Sequence, residues 1–103
     1  MTIQYAPRAK EDLAEIYKYG KENFGEKTSR RFIKKIISHI KILKENPYIG
    51  KIEEELCPQA PAYRSLLVAP YKVIYSVQGS SVRIHFLWHT SRNPKELNRQ
   101  VPQ

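Results

Sequence analysis

The side chains in this sequence that could do chemistry are its histidines and a late block of arginines and lysines. Arg64, Lys72, Arg83, His85 and His89 lie between Gln59 and Arg92, a stretch without a single carboxylate. One reaction fits such a set. Cleavage of RNA by its own 2′-hydroxyl requires removal of that proton, stabilisation of charge on the phosphate, and protonation of the leaving 5′-oxygen. Arginine and lysine can stabilise the charge, and histidine suits the proton transfers because its pKa lies near neutrality. His85 and His89 are about 13 Å apart along an extended strand, too far to act as one acid–base pair. His89, close to Arg92, is the better candidate, with a strand-end histidine bonded to backbone as the plain alternative. His39 falls between the apolar ridges of a helix and is read as structural or simply exposed.

Other chemistries find little in the residues. Cys57 and the histidines lack metal-ligand spacing, so no metal site is expected. There is no phosphate-binding glycine loop of either standard type, and no cofactor is expected. Glu53, Glu54 and Glu55 are read as solvated loop acids, and Cys57 has no neighbouring histidine to activate it.

The elements that must position the candidates follow from periodicity. Thr2–Tyr5 alternates as a short strand. Ala9, Leu13, Ile16 and Tyr17 give one apolar face to a helix that opens at Pro7 and runs to about Asn23. Phe32, Ile33, Ile36, Ile37, Ile40 and Leu43 mark a second helix from about Lys27 to Glu45, ended by Asn46-Pro47. Arg30, Arg31, Lys34, Lys35, Lys41 and Lys44 make its polar side basic. Tyr48 to Pro61 reads as a loop with one extended piece. The period then becomes two over Ala62–Val68, Tyr71–Val77 and Val82–Trp88, which short connections join as an antiparallel meander. Asn93-Pro94 opens a short terminal helix.

The expected architecture is α+β in two layers, with a helical hairpin on one face of the sheet and the first strand completing it. If Val73, Tyr75, Val77, Val82, Ile84, Phe86 and Trp88 face the helices, the opposite face carries Lys72, Ile74, Ser76, Arg83, His85, Leu87 and His89. Arg64 joins that face if Ser65 and Leu67 point inward. Ordinary surfaces mix both signs of charge, so this acid-free face is read as anion-binding, with Arg64, Lys72, Arg83 and His85 as nucleic-acid contacts. A routine solvated face is the alternative.

Bulk properties agree with a polyanionic partner. The 103 residues carry 18 Lys and Arg against 10 Asp and Glu, a formal net charge of +8. The length is expected to form a single domain over residues 1–103. A lone cysteine, no leading apolar segment and no apolar run long enough to span a bilayer predict a cytoplasmic protein.

In order and spacing, these residues resemble the RelE/ParE superfamily, the toxins of type II toxin–antitoxin modules. The likeness rests on Pro7…Ala9…Asp12-Leu13…Ile16…Tyr19, Asn46-Pro47…Gly50, Tyr63-Arg64, Pro70-Tyr71-Lys72-Val73-Ile74-Tyr75 and His89-Thr90-Ser91-Arg92-Asn93-Pro94…Leu97. It covers Ile3 to Leu97. The resemblance implies one of two activities. RelE-like members cut messenger RNA on the ribosome with basic residues of the sheet, and ParE-like members poison DNA gyrase. If the chain is a nuclease, the likeness implies Arg64, Lys72, His89 and Arg92 as its catalytic residues. Arg64 and Lys72, however, stand where RNA-cleaving members carry a lysine and an arginine, and these do not exchange freely at a phosphate. Leu66 replaces a second family lysine, and the tail lacks the family tyrosine. The His89…Arg92-Asn93-Pro94 ending is more similar to the ParE side, implying a gyrase poison of the plasmid-stabilisation type; an inactive member is the third possibility. The resemblance also implies a cognate antitoxin with an acidic, partly disordered segment, laid on the exposed sides of the helices and the meander edge.

Overall fold

Pro7 opens the first helix without help from a side-chain cap, because Ala6 at the N-cap has no side-chain acceptor to offer. In the computed structural model, which describes residues 1–53 and 62–91, strand β1 (Thr2–Tyr5) leads into helix α1 (Pro7–Phe24). Helix α2 (Glu26–Ile42) follows after a single residue, Gly25, at φ 94°. That left-handed value is costly for any residue with a Cβ, and it folds the two helices into a hairpin. Strands β2 (Lys51–Ile52), β3 (Arg64–Val68), β4 (Tyr71–Gln78) and β5 (Ser81–His89) are the remaining elements among the described residues. The expected terminal helix, and Arg92 with it, lie outside the described residues.

The sheet order is β1-β5-β4-β3-β2. The β1 strand runs parallel to β5, with Ile3 opposite Val82 and Tyr5 opposite Ile84, and the other pairs are antiparallel. The predicted two-layer α+β arrangement is the observed one, and β2 is the extended piece of the loop. Ile16 of α1, Ile36 and Ile40 of α2 and Leu43 at its C-cap pack on Val73, Tyr75, Val82, Ile84 and Leu87. That apolar interface, with most of its members inaccessible to solvent, fixes the hairpin on the sheet.

Strand parity departs from expectation at two places. Tyr75 pairs with Ile84 but Ile74 pairs with Phe86, so His85 is an extra residue in β5, a β-bulge. Beyond it the faces exchange. Phe86 and Trp88, expected against the helices, cluster on the opposite face with Tyr63 and Ile74. Leu87, expected outside, enters the helix-side core. His89 pairs with Tyr71 and so also lies on the helix side. In β3, Arg64 pairs with Tyr75 and Leu66 with Val73, which puts Arg64 on the helix side and turns Ser65 and Leu67 outward. The predicted parity of that strand is reversed because the buried partners of Leu66 and Val68 decide its register.

Candidate functional site

On the outer face the sheet holds Lys72, Arg83 and His85 as expected, but the face is not free of carboxylates. Pairing of β2 with β3 carries Glu53 to Lys72, whose Nζ lies 2.8 Å from Glu53 Oε1. Glu53 is not a solvated loop acid. Its residue is 5% exposed and its N–H donates to the Tyr63 carbonyl at 2.9 Å. The nearest negative charge therefore comes from outside the acid-free stretch, and Lys72 serves as its counter-ion.

His85, Ser76 and Gln78 form a polar chain beside this pair. Gln78 Nε2 donates to Ser76 Oγ at 3.0 Å, and Ser76 Oγ lies 2.7 Å from His85 Nε2. The Tyr63 ring meets the imidazole edge-on with centroids 5.0 Å apart. Burial, reinforced by the nearby Arg83 charge, lowers the His85 pKa to about 4. At neutral pH this imidazole is uncharged and adds nothing to phosphate attraction; its Nε2 and the Ser76 hydroxyl share one hydrogen bond whose direction follows the ring tautomer.

Arg64 sits at the other end of the helix side. Its Nη1 donates to the carbonyls of Gly50 at 2.9 Å and Tyr48 at 3.2 Å, and its guanidinium lies 5.1 Å from the Tyr48 ring centre. The neighbouring Tyr75 hydroxyl donates to Pro47 O at 2.9 Å and accepts from Gly50 N at 2.8 Å. A Cβ at Gly50 would collide with that hydroxyl and stand 2.7 Å from the Ser65 carbonyl, which explains the glycine. Burial raises the Tyr75 pKa, against the opposing pull of the Gly50 N–H and of Arg64. Arg64 and Tyr75 thus pin the chain as it leaves α2.

His89 belongs to a different surface. Its ring meets Tyr71 edge-on at 5.1 Å, and its Nδ1 accepts from Ser91 N at 3.1 Å and lies 2.7 Å from Ser91 Oγ. These contacts leave Nε2 as the protonated nitrogen of the neutral ring. His89 and Tyr71 form one wall of a cavity of about 570 Å³, which Ile16, Tyr19, Phe24 and Phe32 of the hairpin close from the other side. Tyr19 and Phe24 are 58% and 66% exposed, which is unusual for large apolar rings, and they meet edge-on at 6.4 Å. The groove is absent from the sequence reading; its one signal is Tyr19, an aromatic ring set beside the apolar stripe of α1.

Of the candidate residues, Lys72, Arg83 and His85 share a face, whereas Arg64 and His89 are separated from them by the sheet itself. Among the described residues, no His, Cys, Asp or Glu side chains are grouped to hold a metal ion, and no helix is long and apolar enough to cross a membrane.

The family model of the ParE toxin of type II toxin–antitoxin system, parDE, matches residues 3–94. The chain belongs to the ParE toxin family. Its fold is that of a solved chain from the chromosomal ParDE TA system from P. aeruginosa, with a TM-score of 0.71 over 86% of this chain and 95% of that one, at 22% identity. None of the curated proteins matches the chain in sequence. Within the superfamily, this membership favours the ParE side of the resemblance. In this chain Asn46-Pro47…Gly50 is the helix exit pinned by Tyr75, and Tyr71 and Lys72 open β4 with groove wall and ion pair on opposite faces.

Proposed function

We propose that the chain inhibits growth by poisoning DNA gyrase and is kept silent in the cytoplasm by a cognate antitoxin, as in modules of the plasmid-stabilisation type. The observation that carries this reading is the separation of the basic set. RNA cleavage would need Arg64, Lys72, His89 and Arg92 around one phosphate. Arg64 is spent on backbone carbonyls on one face, Lys72 on Glu53 on the other, and His89 on Ser91. The messenger-RNA reading gains no support from that arrangement, whereas ParE membership supports the gyrase reading.

The antitoxin half of the proposal rests on shape and charge. An acidic segment is attracted to a chain of net charge +8 and associates quickly. The groove between hairpin and sheet offers Tyr19, Phe24, Phe32 and Tyr71 as anchors for its apolar side chains.

Induced expression with two readouts tests the target. The expected result is SOS induction and gyrase-linked DNA breaks with message left uncut. Early message cleavage with intact DNA would overturn the gyrase reading.

A further inference from the structure

Helix α2 carries a concentration of charge that neither the groove nor the sheet uses. From Lys27 to Lys44 there is no Asp or Glu. Lys27, Arg31, Lys34 and Lys41 recur at helical spacing on the side turned away from Ile36 and Ile40, which are fully buried. All four are exposed. Among the described residues none of them has a carboxylate at ion-pair distance, the one ion pair of this helix joining Arg30 to Glu26 at 2.8 Å. At about 1.5 Å per residue, the ridge from Lys27 to Lys41 is about 21 Å long.

We infer that this ridge binds the phosphate backbone of duplex DNA without reading its sequence. Duplex DNA presents about one charge per 1.7 Å of its axis, so a straight row of unpaired cations meets several phosphates at once and releases their counterions. Single strands are held largely by stacking on aromatic rings. The ridge offers none, because Phe32 turns toward the groove, where its ring lies 6.1 Å from that of Tyr71. An acidic peptide needs apolar anchors beside the charges, and those anchors line the groove instead. Sequence readout needs side chains that bond base edges in pairs within the major groove; the ridge is a row of point charges and one arginine. The inference does not depend on gyrase, since DNA alone is the ligand.

Fluorescence anisotropy of the full chain with a labelled duplex of arbitrary sequence, over a salt series from about 50 to 200 mM, tests it. The logarithm of the affinity is expected to fall linearly with the logarithm of salt. Lys27→Gln/Lys34→Gln/Lys41→Gln is expected to lose roughly 0.9 of slope per phosphate contact removed and to bind at least about tenfold more weakly at low salt. Lys10→Gln/Lys18→Gln/Lys21→Gln on α1 has the same net charge and is expected to keep the parent slope. Arg31→Gln/Lys34→Gln gives a second, smaller change that reports the same loss should the triple variant fold poorly. Equal losses in the α1 and α2 variants would mean diffuse attraction to a basic protein and would overturn the inference. So would single-stranded DNA bound as tightly as duplex, or a ridge variant that loses the antitoxin while its duplex binding is unchanged.

Discussion

The Asp12 carboxylate accepts a hydrogen bond from the backbone N–H of Leu87 at 3.0 Å, across 75 residues of sequence. The β1 strand ends at Tyr5, opposite Ile84, so β5 continues past its neighbour with donors that no strand among the described residues takes. Helix α1 supplies the acceptor, and Arg8 Nε steadies the other carboxylate oxygen at 3.3 Å. Asp12→Ala is expected to cost about 1–3 kcal/mol, because it leaves a part-buried N–H unsatisfied. Asp12→Asn keeps an oxygen acceptor and is expected to cost clearly less. Urea unfolding of both variants checks the order, and equal losses would mean that charge rather than the hydrogen bond matters.

The Lys72–Glu53 pair predicts a structural phenotype for a residue that sequence reading places in a catalytic set. The Glu53 side chain is 6% exposed and that of Lys72 33%. Lys72→Met is expected to destabilise by about 1–2 kcal/mol, between the values for exposed and fully buried pairs, since it strands a carboxylate. Adding Glu53→Gln is expected to restore part of the loss, and a double-mutant cycle measures the coupling. Toxicity of Lys72→Met is expected to fall no further than its stability does. Complete loss of toxicity in a fully folded variant would assign Lys72 a direct role.

For His85 the sign of the pH effect can be worked out. Its folded pKa of about 4 lies below the ordinary 6.5, so the unfolded chain binds the proton more readily. The stability it contributes is present above pH 6.5 and is lost progressively as pH falls toward 4. In urea midpoints compared across that window, the advantage of the parent over His85→Gln is expected to narrow with acidification. An imidazole seen by NMR to titrate near 6.5 would refute the burial argument.

Tyr19 and Phe24 are exposed enough that Tyr19→Ala and Phe24→Ser should leave folding stability within about 0.5 kcal/mol. Removing both rings is expected to weaken the antitoxin complex at least about tenfold, chiefly through faster dissociation. Calorimetry or surface binding kinetics reads the effect, and an unchanged dissociation rate would place the antitoxin elsewhere.

Much of this molecule is legible in its sequence, and the exceptions have physical causes. The hairpin declares itself through the spacing of Ile36, Ile40 and Leu43, and the strands through alternation. The bulge does not, because Val82, Ile84, Phe86 and Trp88 keep a perfect period of two straight through His85 while the partner strand shifts register beneath them. Side-chain type could not resolve it, since Phe86 and Trp88 are as apolar as the residues they were expected to join. The basic face misleads for a second reason. A stretch without acids along the chain is not a volume without acids, and a two-residue strand is enough to bring Glu53 to Lys72. The groove is the hardest to foresee, since it exists only where the two layers part beside His89.

The parallel pairing of β1 with β5 joins the beginning of the described chain to nearly its end. On a translating ribosome the first strand therefore emerges long before the strand it pairs with has been made. The helices can coil early from local contacts, but the layer beneath them waits for Ser81–Ile84. A growing polypeptide interrupted anywhere before that stretch lacks an intact sheet, and the cell meets the five-stranded layer only after Ser81–Ile84 has been made.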